Sequence, residues 1–178
     1  MQLNKIKNEN CYTKDITKIN KKEAKNLIQE LESCKKFALN ASSVYYEYAR
    51  KSNFIPYIQD TKMNMEKTEK CFNNLINDIE IRKEEIINDK QILQEEIKKL
   101  QQQIEDVAKV KEFIAKSSLV YAQYIFSSGI MPYYEKIKQD SDFVINHLDL
   151  FIELYQNKKE KILSMLSAFE NNPQTLKK

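Results

Sequence analysis

The sequence predicts an all-α protein made of tandem helical hairpins, and three observations predict it. Among 178 residues there is one glycine and there are three prolines, too few to punctuate strands and turns. Lys, Glu, Gln, Leu, Ile and Ala dominate, all residues that favour helix, and no sustained alternation of apolar and polar residues marks a strand. The third observation is an internal repeat. Set without a gap, residues 28–62 and 104–138 agree at an offset of 76, with eleven of 35 positions identical. The identities include Phe37/Phe113, Ser42/Ser118, Tyr45/Tyr121, Pro56/Pro132 and Tyr57/Tyr133, apolar and turn positions where structure would hold them.

The first helix is expected to start at Asn20, whose partner Glu23 completes a capping-box pattern. Its apolar residues recur at spacings of three and four: Ala24, Leu27, Leu31, Cys34, Ala38, Ala41, Tyr45 and Tyr48. Asn53 should end it. Asn and Gly most readily take the left-handed conformation of a helix stop, and Gly129, the only glycine, is the counterpart of Asn53 in the repeat. Three residues after each stop comes proline, suited to the first turn of a new helix. Each repeat therefore predicts helix, left-handed stop, proline, helix. A Schellman stop would also bring Ala49 against Phe54 and Ile125 against Ile130.

From Phe72 an apolar residue recurs every seven: Phe72, Ile79, Ile86, Leu93, Leu100, Val107, Ile114 and Tyr121. This coiled-coil-like line crosses from one repeat into the next without a change of phase. It favours an elongated molecule in which residues 57–128 form one central helix, roughly 108 Å long at about 1.5 Å per residue, with a shorter helix folded back along each half. The alternative is a compact four-helix bundle with a break near Asn88-Asp89, since Asn and Asp are poor helix-interior residues. The last helix, from about Pro132 to Glu170, carries a broad apolar face: Phe143, Val144, Leu148, Leu150, Phe151, Leu154, Tyr155, Ile162, Leu163, Leu166 and Phe169. In a rod that face needs a second chain, and in a bundle it is core. The expected organisation is a flexible basic arm (1–19), a first hairpin repeat (20–95), a second (96–170) and a disordered tail (171–178).

The same residues bound the function. Charge is dense but mixed, 29 basic against 26 acidic residues, which argues against a nucleic-acid partner. Cys11, Cys34 and Cys71 lack metal-ligand spacing and read as reduced thiols of a cytoplasmic protein. The start of the chain has no apolar core of a secretory signal. His147 is the only histidine and lies on an apolar face, so it reads as a core or boundary residue. No second histidine completes a di-iron motif, and no nucleophile can be joined to it as a triad. A single glycine leaves no phosphate-cradling loop. No catalytic residue, metal ligand or cofactor is expected.

What remains is interaction. Aromatic residues gather at the two corners, and residues 117–134 carry no charge. The candidate partner contacts are Tyr46, Phe54 and Tyr57 at the first corner and Phe126, Ile130, Met131, Tyr133 and Tyr134 at the second. The expected function is a non-enzymatic scaffold or adaptor acting by coiled-coil-type contact with itself, as a dimer, or with a protein partner. The alternative is a membrane-active, pore-forming-type component that inserts the uncharged tip 117–134, which approaches spanning length but is interrupted by Gly129 and Pro132.

Overall fold

The computed structural model describes residues 19–81 and 90–171, and it is helical almost throughout. Four helices follow one another: α1 (Lys21–Lys51), α2 (Ile55–Ile81), α3 (Lys90–Ser127) and α4 (Met131–Asn171). The expected basic arm (apart from Ile19), the expected break at Asn88-Asp89, Ile86 of the heptad line and the expected tail beyond Asn171 lie outside the described residues.

The helix ends form as the residues dictate. Asn20 Oδ1 accepts from the backbone N–H groups of Lys22 and Glu23, and the Glu23 carboxylate accepts from Asn20 N–H, closing the capping box. At the corners Asn53 has φ 54° and Gly129 has φ 77°, so both stops are left-handed. The hydrogen bonds match as well. Ser52 N–H and Asn53 N–H donate to the carbonyls of Ala49 and Arg50, as those of Ser128 and Gly129 donate to Ile125 and Phe126. The second hydrogen bond of a Schellman stop, from Phe54 N–H to the Ala49 carbonyl, is not made. Phe54 N–H donates to Ser52 Oγ instead, and Phe54 and Ile130 project outward, 61% and 45% exposed. A Cβ on Gly129 would meet no atom within 4 Å, so Gly129→Ala should cost only its conformational strain, about 1 kcal/mol. Urea unfolding should show that loss, and Gly129→Asn, which copies the first corner, should recover most of it.

Each hairpin zips in the register its corner sets. Ser43 faces Met65 across the first, and Lys111 pairs with Asp149 across the second. The two hairpins then bury equivalent residues. Ala24/Leu100, Leu31/Val107, Cys34/Val110, Ala38/Ile114, Ala41/Ser117 and Ser42/Ser118 are buried in both copies, as are Thr61/Ile137, Thr68/Val144, Phe72/Leu148, Leu75/Phe151 and Ile79/Tyr155.

The hairpins do not lie end to end. α1 packs on α3 and α4 as well as on α2, and buried residues of all four helices form one core. The rod expected from the heptad line is therefore corrected, and the compact alternative describes the molecule. Phe72, Ile79, Leu93, Leu100, Val107 and Ile114 of that line are buried, but in one shared core rather than along a shaft. The physical reason is coverage. A two-helix hairpin shields only one seam of its apolar surface, and folding one hairpin against the other removes both remaining faces from water. The broad face of α4 meets the same fate. Val144, Leu148, Phe151, Tyr155, Ile162 and Leu166 are buried within the chain, so they require no second chain, whereas Phe143 and Leu163 of the same face stay exposed.

The packing is oblique and nearly symmetric. Glu30 of α1 reaches His147 of α4, while Tyr45 of α1 packs on Phe113 of α3, ring centroids 5.8 Å apart. His147 and Phe113 stand close to one level of the second hairpin, where Lys111 meets Asp149, so α1 crosses that hairpin from α4 to α3. The second α1–α3 ring pair is Phe37–Tyr121, at 6.4 Å. A shift of 76 exchanges these two pairs, because Tyr45 and Phe113 are the repeat mates of Tyr121 and Phe37. The hairpins are thus related by an internal two-fold axis, the geometry of an isologous dimer within one chain. Ala41 and Ser117 lie midway between the exchanged pairs, where small side chains let α1 and α3 approach. Ser42, Ser117, Thr61 and Thr68 satisfy their buried hydroxyls on carbonyls of the preceding turn, and Ser118 Oγ has no partner among the described residues.

Candidate functional site

The structure separates the eight aromatic and apolar residues expected to meet a partner. At the first corner Phe54 is exposed and Tyr46 is half-buried. Tyr57 turns inward and stacks edge-on against Tyr45, with centroids 5.9 Å apart. Burial, followed by the hydrogen bond with Tyr45, pushes its phenol above the ordinary range. At the second corner Phe126, Ile130, Met131 and Tyr133 all project outward, 57%, 45%, 48% and 60% exposed. Tyr134 is half-buried, with its ring 5.5 Å from Phe126 and the Lys138 ammonium 5.8 Å from its centroid. Leu119 and Tyr124, outside the expected set, are exposed to a similar degree. Leu119 and Phe126 lie seven residues apart within α3, so periodicity could have placed those two on one face. The second corner is the more apolar of the two because its charges are gone. Glu47, Arg50 and Lys51 of the first corner correspond to Gln123, Phe126 and Ser127.

A second feature escaped the sequence. A groove of about 590 Å³ opens between α2 and α3, from Tyr57 to Leu75 on one wall and from Gln103 to Lys116 on the other. At its Tyr155 end three helices are tied together. Tyr155 donates to Asp78 Oδ2 at 2.5 Å, and Gln103 Nε2 donates to the same oxygen at 3.1 Å. Burial, then the Asp78 carboxylate, keeps the Tyr155 phenol protonated far above its ordinary range.

The opposite seam, between α1 and α4, is bridged. His147 Nδ1–H donates to the Phe143 carbonyl at 2.8 Å, and its Nε2 lies 3.1 Å from Glu30 Oε2. With Nδ1 as donor, the second bond needs a proton on Nε2 or on the carboxyl. His147 is therefore a boundary residue that links the hairpins, as its apolar neighbours implied. Its repeat mate is Cys71 and that of Glu30 is Asp106, a pair that forms no bond.

Cys34 and Cys71 are buried and unpaired. Burial, reinforced by Glu30 at Cys34 and by Asp106 at Cys71, pushes each thiol from 9.0 up to about 12. A folded value above the unfolded one means that the fold favours the neutral thiol. The contribution is complete below pH about 9 and is lost as pH rises toward about 12. The urea midpoint of the parent should fall across that window, and Cys34→Val/Cys71→Val should fall less steeply. Ellman's reagent at pH 8 should label neither position until the chain unfolds.

Among the described residues no group of three or more His, Cys, Asp or Glu side chains is placed to hold a metal ion. No helix among them is long and apolar enough to cross a membrane. The fold and its surfaces define an all-α protein of two crossed hairpins, with an apolar corner and an interhelical groove. No protein-family model, curated protein or solved structure matches the chain.

Proposed function

We propose that this chain is a non-enzymatic helical scaffold or adaptor that engages a protein partner, or a second copy of itself, through the corner between α3 and α4. One observation carries the reading: Phe126, Ile130, Met131 and Tyr133 are all exposed at a corner whose residues 117–134 carry no charge, and Leu119 and Tyr124 of α3 are exposed as well. Large apolar side chains gathered on a surface mark contact sites, and Tyr suits contacts that stay partly wet. The dimer-forming role expected of the broad α4 face passes to this corner, because most of that face is occupied within the chain. A cytoplasmic setting belongs to the proposal, supported by two thiols left unpaired.

The test is light scattering after size exclusion, together with affinity capture, on the parent and on Phe126→Ser/Ile130→Asp/Tyr133→Ser. All three residues are exposed, so the variant should unfold at the parent's temperature and lose the oligomer or the captured partner. A parent that stays monomeric at high concentration and captures nothing sinks the proposal. The second reading, insertion of the uncharged corner into lipid, predicts dye release from liposomes that the same variant abolishes.

A further inference from the structure

We propose that the groove between α2 and α3 is a docking site for an acidic amphipathic helix of a protein partner. It is a surface separate from the apolar corner. Its shape comes first. The α2 wall from Tyr57 to Leu75 runs about 27 Å at about 1.5 Å per residue, the length of five helical turns. Val107, Val110, Phe113 and Leu75 form the base of the groove, each buried with only a narrow edge open to it. A long groove open to solvent between two helices fits the apolar stripe of a third.

Charge then selects the occupant. Lys67, Lys70 and Lys109 line the groove, are exposed, and form no ion pair among the described residues. Glu112 is matched by Lys116 at 2.9 Å. That leaves Asp60 and Asp106 against three unmatched ammonium groups, and each of these carboxylates already accepts from an amide, Asn64 or Gln102. Carboxylates flanking a partner's apolar stripe would complete the lysines. A continuous phosphate backbone would also meet Asp60 and Asp106, so a peptide is the better match.

The internal symmetry gives an independent argument. The repeat mates of Lys67, Lys70 and Lys109 are Phe143, Asn146 and Ser33, none of them charged. They border the α1–α4 seam, which the Glu30–His147 bond closes. Two halves of common pattern have diverged at one seam. Where the histidine bridge is present the lysines are absent, and where Cys71 stands in its place three lysines line the groove, which the Gln103–Asp78 bond spans only at its Tyr155 end.

The experiment uses the full chain and a fluorescein-labelled helical peptide with leucine on one stripe and glutamate on both flanks. Fluorescence anisotropy should rise saturably, and the affinity should fall as salt is added. Lys67→Ala/Lys70→Ala/Lys109→Ala should weaken binding about tenfold, as expected for the loss of three exposed ion pairs. The same peptide with lysine in place of glutamate should not bind. Phe126→Ser/Ile130→Asp/Tyr133→Ser should bind the acidic peptide as the parent does, which separates this site from the corner. The proposal is overturned by absence of saturable binding, by equal binding of the lysine peptide, or by unchanged affinity in the alanine variant. Lysine-dependent binding to phosphatidylserine vesicles without peptide binding would assign the groove to a lipid surface and overturn it as well.

Discussion

Phe151→Ala should cost about 3–5 kcal/mol, as large a loss as any single truncation in this molecule should give. The ring is fully buried in the core shared by all four helices and packs near Tyr155, centroids 6.2 Å apart. Truncation removes its transfer free energy and leaves a cavity that four helices joined through one core can only partly close. Against a total of about 5–15 kcal/mol for an ordinary domain, that is about a fifth or more of the stability. Urea unfolding followed by circular dichroism should show a much lower midpoint. Phe151→Leu should cost less, about 1 kcal/mol, because Leu fills part of the volume and Leu75 serves at the equivalent position of the first hairpin. If Phe151→Ala unfolded like the parent, the shared core would be wrong. A rod, in which α4 meets only α3, would predict a milder loss confined to one half.

Ala41→Leu tests the crossing itself. Ala41 is fully buried between the ring pairs Phe37–Tyr121 and Tyr45–Phe113. Three added carbons have nowhere to go there, so the substitution should push α1 away from α3 and cost about 1–3 kcal/mol. The signature should be specific: helix content unchanged, thermal midpoint lowered, and the radius from small-angle scattering increased as the hairpins part. Asn40→Leu, one residue away on the exposed side of α1, should stay within about 0.5 kcal/mol of the parent. An Ala41→Leu protein with unchanged stability and size would contradict the close approach of the hairpins.

Much of the fold was legible in the residues. The capping box of Asn20 and Glu23, the left-handed stops at Asn53 and Gly129 and the hairpin registers are local, set by residues a few positions apart or by one corner. The buried faces were legible too, since the three-and-four spacing of Ala24, Leu27, Leu31, Cys34 and Ala38 is the buried stripe of α1. The site was legible in part. Phe126, Ile130, Met131 and Tyr133 are exposed as expected, whereas Tyr57 was claimed by Tyr45 and Tyr134 by Phe126. The groove was not legible. Its walls are set by how two hairpins cross, and the only trace was that Lys67, Lys70 and Lys109 differ from their repeat mates.

The rod was the instructive expectation. A heptad line reports which side of a helix turns away from water, but Phe72 or Ile114 is buried equally well by a shaft-like neighbour or by a crossing hairpin. Continuity of phase between Ile79 and Leu93 likewise cannot distinguish a straight helix from two helices, because the penalty for Asn or Asp in a helix interior is under about 1 kcal/mol. Helices, their stops, their apolar faces and the repetition follow from short-range or periodic properties of the residues. Long-range packing set the rest: the repeats cross face to face, α4 turns most of its broad face inside the chain, and Glu30 and His147 bridge one seam while a lysine-lined groove runs along the other. Those outcomes depend on burying the most apolar area for the whole chain at once, a sum over residues far apart in sequence that no local pattern records.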